Sequence, residues 1–285
     1  MVSLKKWWKE FLITILVASN IVVWVTLYQK RSSDILTVYF IDVGQGDAIL
    51  VDSPQHGRVL IDGGRNRSIL SELGRILPFG DTRLDIVIGT HPDFDHIGGL
   101  PAVVERYKVG AFLEPGVESD SDIDDELDKR LKEKNIPTIL ARRGIIVNFG
   151  DGAKLQILFP NQDVSNWETN KASVVAKLTY GSKSFLLTGD SPMQVENILL
   201  NLDSLPLSSD VLKAGHHGSR TSTSLTYAKT VSPEYVVISA GRDNSYGHPH
   251  QEVLDILEKI DAKVVSTADL GTIKFETDGK ILKLK

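Results

Sequence analysis

The chain has 285 residues, 41% hydrophobic and 24% charged, enough to bury one substantial core, as a single large domain or two smaller ones. Its formal net charge of -5 excludes a broadly basic nucleic-acid surface, because non-specific affinity for DNA comes from Lys and Arg neutralising phosphates. The absence of cysteine excludes a disulfide framework and thiolate zinc sites. The N-terminus differs from the rest. Lys5, Lys6 and Lys9 surround Trp7 and Trp8, and 11–28 then runs without a charge before Lys30 and Arg31. That length is near the minimum for spanning a bilayer, and the flanking aromatics suit its interface. The expected division is a cytoplasmic tip and membrane anchor over 1–32, followed by one domain over 33–285. Three basic residues before the segment and two after it place the domain on the extracytoplasmic side of the cell membrane, single-pass.

The stretch 35–43 is rich in β-branched and aromatic residues and predicts a strand, turned by Gly44-Gln45-Gly46 into a second strand over 47–51. A third, 58–62, ends at Gly63-Gly64. Asp42, Asp47 and Asp62 each begin or end a strand beside glycine and read as turn residues or as outer partners of a site. Residues 68–77 predict a short amphipathic helix, 85–89 a strand and 100–107 a helix. The acidic run 118–128 leads into a further helix ending near Lys134 and reads as a solvated face. Strands return at 145–149, 153–159, 173–180 and 184–190. Further strands are expected at 210–215 and 235–241, then a closing helix and a last hairpin, 263–266 with 272–275.

Chemistry concentrates where strands end. Thr90-His91-Pro92-Asp93-Phe94-Asp95-His96-Ile97-Gly98-Gly99 puts four metal-ligand candidates within six residues, straight after a strand. His91 and Asp93 can share one ion, and Asp95 with His96 can serve a second. Imidazole with carboxylate suits zinc, manganese or ferrous iron. Asp190 ends a later strand; His216 and His217 follow another; His248 and His250 lie in the loop after 235–241.

Taken as an ordered set, Asp42-Val-Gly-Gln-Gly-Asp47, Ile61-Asp-Gly-Gly64, the His91–Gly99 loop, Leu187-Thr-Gly-Asp190 and Lys213-x-Gly-His-His-Gly-Ser219 resemble the metallo-β-lactamase superfamily. More narrowly, they resemble the C-terminal hydrolase domain of the ComEC competence DNA-uptake proteins. The resemblance covers about residues 35–285 and implies an α+β fold, a four-layer αββα sandwich preceded here by one transmembrane helix. It implies two divalent metal ions, zinc or manganese. His91 and Asp93 would hold one, Asp95 and His96 the other, Asp190 would bridge them, and His216 would complete the second. Asp93 stands where most members have histidine, and 170–173 lacks the histidine that usually completes the first site. Candidate catalytic residues are Asp95, Lys213 as a phosphate-neutralising cation or a plain solvated lysine, and His248 or His217 as proton donor to the leaving group. The expected activity is that of a membrane-anchored phosphodiesterase or nuclease acting on nucleic acid or another phosphodiester. Hydrolysis of a small ester, amide or lactone and a catalytically silent binding domain are the competing expectations.

Overall fold

The computed structural model describes residues 3–31, 34–202 and 207–285, with the side chains of 3–6 and 25–31 not described. The division expected at residues 32 and 33 therefore lies outside the described residues. Helix α1 (Ser3–Arg31) contains the apolar window Trp7–Trp24, 18 residues of mean hydropathy 1.3, none of it buried against protein. Its length, apolar character and exposure are consistent with a single transmembrane helix.

The first half of the remaining chain runs β1 (Leu36–Phe40), β2 (Ile49–Asp52), β3 (Arg58–Ile61), α2 (Ser68–Ile76), β4 (Arg83–Ile88), α3 (Phe94–Ile97), α4 (Leu100–Arg106), β5 (Lys108–Glu114), α5 (Asp122–Glu133) and β6 (Thr138–Leu140). The second half runs β7 (Ile146–Asn148), β8 (Lys154–Phe159), β9 (Val175–Tyr180), β10 (Lys183–Leu187), α6 (Met193–Asn201), β11 (Val211–Lys213), α7 (Leu225–Val231), β12 (Tyr235–Ile238), α8 (Gln251–Lys259), β13 (Lys263–Ser266), α9 (Thr267–Leu270), β14 (Ile273–Thr277) and β15 (Leu282–Leu284). The sequence reading assigns nothing to β5 or β6, which extend the first sheet beyond β4 by parallel pairing.

Two sheets result, ordered β15-β14-β1-β2-β3-β4-β5-β6 and β13-β12-β11-β10-β9-β8-β7. Strand periodicity explains the layering. Leu36, Val38 and Phe40 of β1 turn inward and meet Leu155, Leu178 and Phe185 of the other sheet, while Tyr39 between them faces outward. Leu50, Leu60 and Leu84 cover the outer face of the first sheet and pack on Ile69, Leu73, Leu100 and Leu127 of the helices. Leu186, Leu212 and Val236 do the same for the second sheet against Val195, Val231 and Leu257. The order is helix, sheet, sheet, helix: the expected αββα sandwich.

Directionality places the chemistry. The pairs β3·β4, β10·β11 and β11·β12 are parallel, so their carboxyl ends lie at common sheet edges. The loops after β3, β4, β10, β11 and β12 therefore open towards one region, and these carry the expected strand-end residues.

Candidate metal centre

Asp190, which follows β10, is 3% exposed and sits at the centre. His96 Nε2 lies 3.3 Å from its Oδ1, His217 Nε2 lies 3.2 Å from its Oδ2, and the same His217 nitrogen is 3.3 Å from Asp95 Oδ2. On the other flank His91 Nε2 is 3.6 Å from Asp93 Oδ2, and the His91 and His96 rings are 4.1 Å apart between centroids. Donor atoms about 2.0–2.2 Å from one tetrahedral ion stand ~3.3–3.6 Å from each other. The spacings are those of ligands sharing an ion.

Hydrogen bonding says the same. His91 Nε2, His96 Nε2, His217 Nε2 and Asp190 Oδ1 are all buried without a hydrogen-bond partner. Orphaned polar atoms in a native interior are uncommon and costly; His96 Nε2 and His217 Nε2 close on Asp190, with His91 Nε2 on the Asp93 side, and such a set calls for a ligand. The opposite ring nitrogens are all engaged. His96 Nδ1 donates to Asp62 Oδ2 at 2.8 Å, His217 Nδ1 donates to the Ser239 carbonyl at 2.8 Å, and His91 Nδ1 donates to Thr90 Oγ1 at 3.0 Å. Thr90 Oγ1 passes its own proton to Asp62 Oδ2 at 2.8 Å, and Thr90 N donates to Asp62 Oδ1 at 2.8 Å. Asp62 thus orients two candidate ligand histidines at once, His96 directly and His91 through Thr90, and leaves the Nε2 of each without a hydrogen-bond partner.

Electrostatics complete the test. Burial would lower the pKa of His96, but Asp190 and Asp62 raise it well above the ordinary histidine value; His217 is raised likewise against burial by Asp190. Asp190 would be raised by burial, yet His217, His96 and Lys213 hold it well below the usual carboxylate range. Without a metal, protons on two imidazoles balance the buried carboxylates, and a divalent cation can take their place. His91 differs: burial and the neighbouring His96 lower it to about 3, so it is a neutral, available ligand. The residues present fit divalent ions.

Several residues stand where the sequence alone does not place them. His216, the expected ligand, has a side chain 27% exposed and its Nε2 3.7 Å from Asp190 Oδ2, and His217, expected as a proton donor, brings its Nε2 closer, 3.2 Å from Asp190 and 3.3 Å from Asp95. The cause is local backbone. His216 (φ 49°) and His217 (φ 55°) are both left-handed, which rotates the second ring into the centre and the first towards the mouth. Lys213 is neither solvated nor turned to a substrate. Its ammonium is fully buried, 2.5 Å from Asp47 Oδ2, 3.5 Å from Asp190 Oδ1 and 2.9 Å from the Gly189 carbonyl. Asp47 faces the Nδ1 sides of His217 (3.5 Å) and His96 (3.9 Å), so it supports the ligands from behind. Of the three strand-end aspartates, Asp42 alone is a turn residue, accepting from Gly44 N at 3.0 Å.

Two glycines explain why these loops approach so closely. A Cβ at Gly46, where φ is 120°, would fall 2.0 Å from the Asp95 carbonyl oxygen, and one at Gly99 would fall 2.2 Å from that of Gly63. The Gly44–Gly46 turn and the Gly63–Gly64 loop thereby press on the ligand loop, with Gly63 N donating to the His96 carbonyl at 2.7 Å.

In the segment 170–173, Ser173 is fully buried and its Oγ accepts the Asp190 N–H at 3.3 Å. Nearby, Asn170 Oδ1 is buried without a partner. Asp93 is raised by burial, against a hydrogen bond from Thr169. At the mouth, the His248 ring lies 5.6 Å from His216 and 6.3 Å from His217, and its loop is braced by Asn244, which accepts from His248 N and donates to the Gly241 carbonyl.

Residues 41–242 match the model of the metallo-beta-lactamase superfamily. The chain belongs to that superfamily. Among curated proteins it is 33% identical over 262 residues to ComE operon protein 3 of Bacillus subtilis, covering 86% of this chain and 33% of that protein. It is 31% identical over 256 residues to Recombination protein 2 of Haemophilus influenzae, covering 88% of this chain and 30% of that protein. The chain spans about a third of the length of these relatives. In fold it is similar to Igni18, a metallo hydrolase of the archaeon Ignicoccus hospitalis, with a TM-score of 0.52 at 17% identity over 85% of this chain and 99% of that one. The ComEC-like resemblance in the motifs is therefore matched along the chain, within a superfamily of metal-dependent hydrolases.

Proposed function

We propose that the chain is a membrane-anchored phosphodiesterase acting on DNA outside the cytoplasmic membrane, with two divalent ions, zinc or manganese, in one centre. The observation that carries the proposal is the convergence of two unpartnered, buried imidazole Nε2 atoms, of His96 and His217, on Asp190, with the unpartnered Nε2 of His91 beside Asp93. One ion would be held by Asp95, His96 and His217, the other by His91 and Asp93, with Asp190 between them. Such ions supply Lewis acidity towards a phosphoryl oxygen and lower the pKa of bound water. Three carboxylates against two dications leave about one net positive charge, which suits a singly charged phosphodiester. The names of the relatives, Recombination protein 2 and, at 30% identity, Competence protein ComA of Neisseria gonorrhoeae, support DNA as the polymer.

The chain's own residues supply the rest. Asp62 and Ser239 hold the imidazoles in the ligating tautomer, and Lys213 with Asp47 fixes Asp190 from the interior side. His216 and His248 line the mouth. Burial and the neighbouring His217, His216 and His250 lower His248 to about 4, so at neutral pH it offers an N–H to a phosphoryl or leaving oxygen and carries no charge. The proton for the leaving oxygen then comes from water, and this displaces His248 from the role of charged donor.

The test uses the full chain in detergent. Hydrolysis of single-stranded DNA, duplex DNA and bis(4-nitrophenyl) phosphate is measured across zinc and manganese, beside esters and lactones. Metal-dependent cleavage of the phosphodiesters that is lost in Asp190→Ala is the expected result. Turnover of an ester or lactone with inert phosphodiesters would overturn it.

A further inference from the structure

Aromatic rings left in water beside a polar centre stand out, because burying such a ring is ordinarily worth several kilocalories. Two such rings adjoin the ligands, one in the chain and one through a ring contact. Phe94, 51% exposed, lies in the ligand loop between Asp93 and Asp95, with the Arg65 guanidinium 5.7 Å from its centroid. Tyr246, 56% exposed, lies in the loop after β12 and stacks on His248 with centroids 5.6 Å apart and planes at 20°. His248 in turn adjoins His216 and His217. One ring is therefore a single residue from ligands of both ions, and the other is a single ring from His217.

The loop under Tyr246 is braced. Asn244 donates to the carbonyls of Gly241 (2.8 Å) and His248 (2.6 Å), Gly241 N donates to Gln45 Oε1 at 3.2 Å, and Arg242 donates twice to the Ala268 carbonyl. Tyr246 is thus an exposed ring on a held backbone. Planar rings with open faces, one under a guanidinium and one already in a stack, match the faces of nucleobases, which stack on aromatic side chains whatever their identity. Bases paired inside a duplex have no free faces to offer.

We propose that Phe94 and Tyr246 are stacking platforms for unpaired nucleobases on either side of the cleaved phosphodiester, so that the centre selects a single strand with bases over its bare backbone. The proposal rests on the phosphodiesterase reading and deepens it. It fits the acidic chain, because stacking supplies affinity that a net charge of -5 cannot.

The decisive experiment compares kcat and KM of the full chain in detergent on oligothymidylate and on an abasic phosphodiester oligomer of equal length. The wild type should prefer oligothymidylate. Phe94→Ala and Tyr246→Ala should each raise KM for oligothymidylate about five- to a hundredfold and reduce the preference over the abasic oligomer. Tyr246→Phe and Tyr246→Trp should restore it, which a loss of folding would not allow. Equal use of both oligomers by the wild type, or alanine variants that shift both equally, would overturn the platforms and leave the phosphodiesterase intact. Cleavage of neither oligomer would overturn the phosphodiesterase reading itself.

Discussion

Around Asp190, the flank formed by Asp95, His96 and His217 is closed and braced, whereas the flank formed by His91 and Asp93 is thinly built. His96 and His217 are at most 1% exposed, each fixed through Nδ1, and Asp95 is 24% exposed in its side chain. Opposite them, Asp93 is 36% exposed in its side chain, and Ser173, in the segment where the resemblance implies a histidine, is occupied with the Asp190 N–H. Affinity follows ligand number and the rigidity of what stands behind the ligands. The comparison teaches that two ions in the proposed centre would not be equivalent: the Asp95 flank should hold its ion tightly, and the His91 flank should exchange.

The harshest way to break this asymmetry is to remove what both flanks share. Asp190→Ala should release both ions, as elemental analysis would show, and reduce phosphodiester cleavage at least about a hundredfold. Retention of two ions at full rate would refute the arrangement. Next come variants that separate the flanks. His217→Ala should lose the tightly held ion, while Asp93→Ala should leave close to one ion per chain and His216→Ala close to the wild-type content. If His216→Ala lost an ion and His217→Ala did not, the exchange of roles between these neighbours would be wrong.

A subtler variant acts behind the ligands. Asp62→Asn should weaken metal binding on both flanks about 10–100-fold, since Asp62 accepts from His96 directly and reaches His91 through Thr90. Asp42→Asn is the control and should change nothing beyond its turn. The pH response carries the same contrast. His96 and His217, raised well above the ordinary value in the absence of a cation, must release protons to bind one, whereas His91, lowered to about 3, has none to release. Affinity on the Asp95 flank should therefore fall steeply as pH drops, with proton release measurable by titration in buffers of different ionisation heat.

Much of the fold was legible because strand alternation and the run of strand-end ligands are local signals. Four layers follow from residues such as Leu36, Tyr39 and Leu50 facing by parity, and His91, Asp93, Asp95 and His96 are marked by their spacing. What was not legible depended on distant chain. Asp42 and Asp62 sit in nearly identical surroundings of strand and glycine; only β4 and Thr90 beside Asp62 separate an orienting carboxylate from a turn residue. Lys213 reads in sequence as a phosphate-neutralising or a solvated lysine, because the partner that buries it, Asp47, arrives from the opposite sheet. His216 and His217 are adjacent and chemically identical, and only two left-handed residues in succession decide which one turns inward. Strands β5 and β6 carry little alternation: in β5 only Phe112 and Leu113 are buried, and β6 is exposed throughout.

The smallest expected effect lies at the mouth, outside both flanks. A charged histidine donating a proton would be most needed by a poor leaving group, so its loss would fall on alkoxide and spare nitrophenolate. A neutral histidine offering only an N–H hydrogen bond contributes similarly to both. With its value lowered to about 4 by burial and by His217, His216 and His250, His248 is neutral throughout the neutral range. His248→Ala should then keep both ions and slow cleavage roughly five- to tenfold, about the worth of one hydrogen bond. The loss should be equal for DNA and bis(4-nitrophenyl) phosphate, and the pH–rate profile above pH 5 should keep its shape. A loss confined to DNA, with one ionisation missing from its profile, would instead make His248 the charged donor.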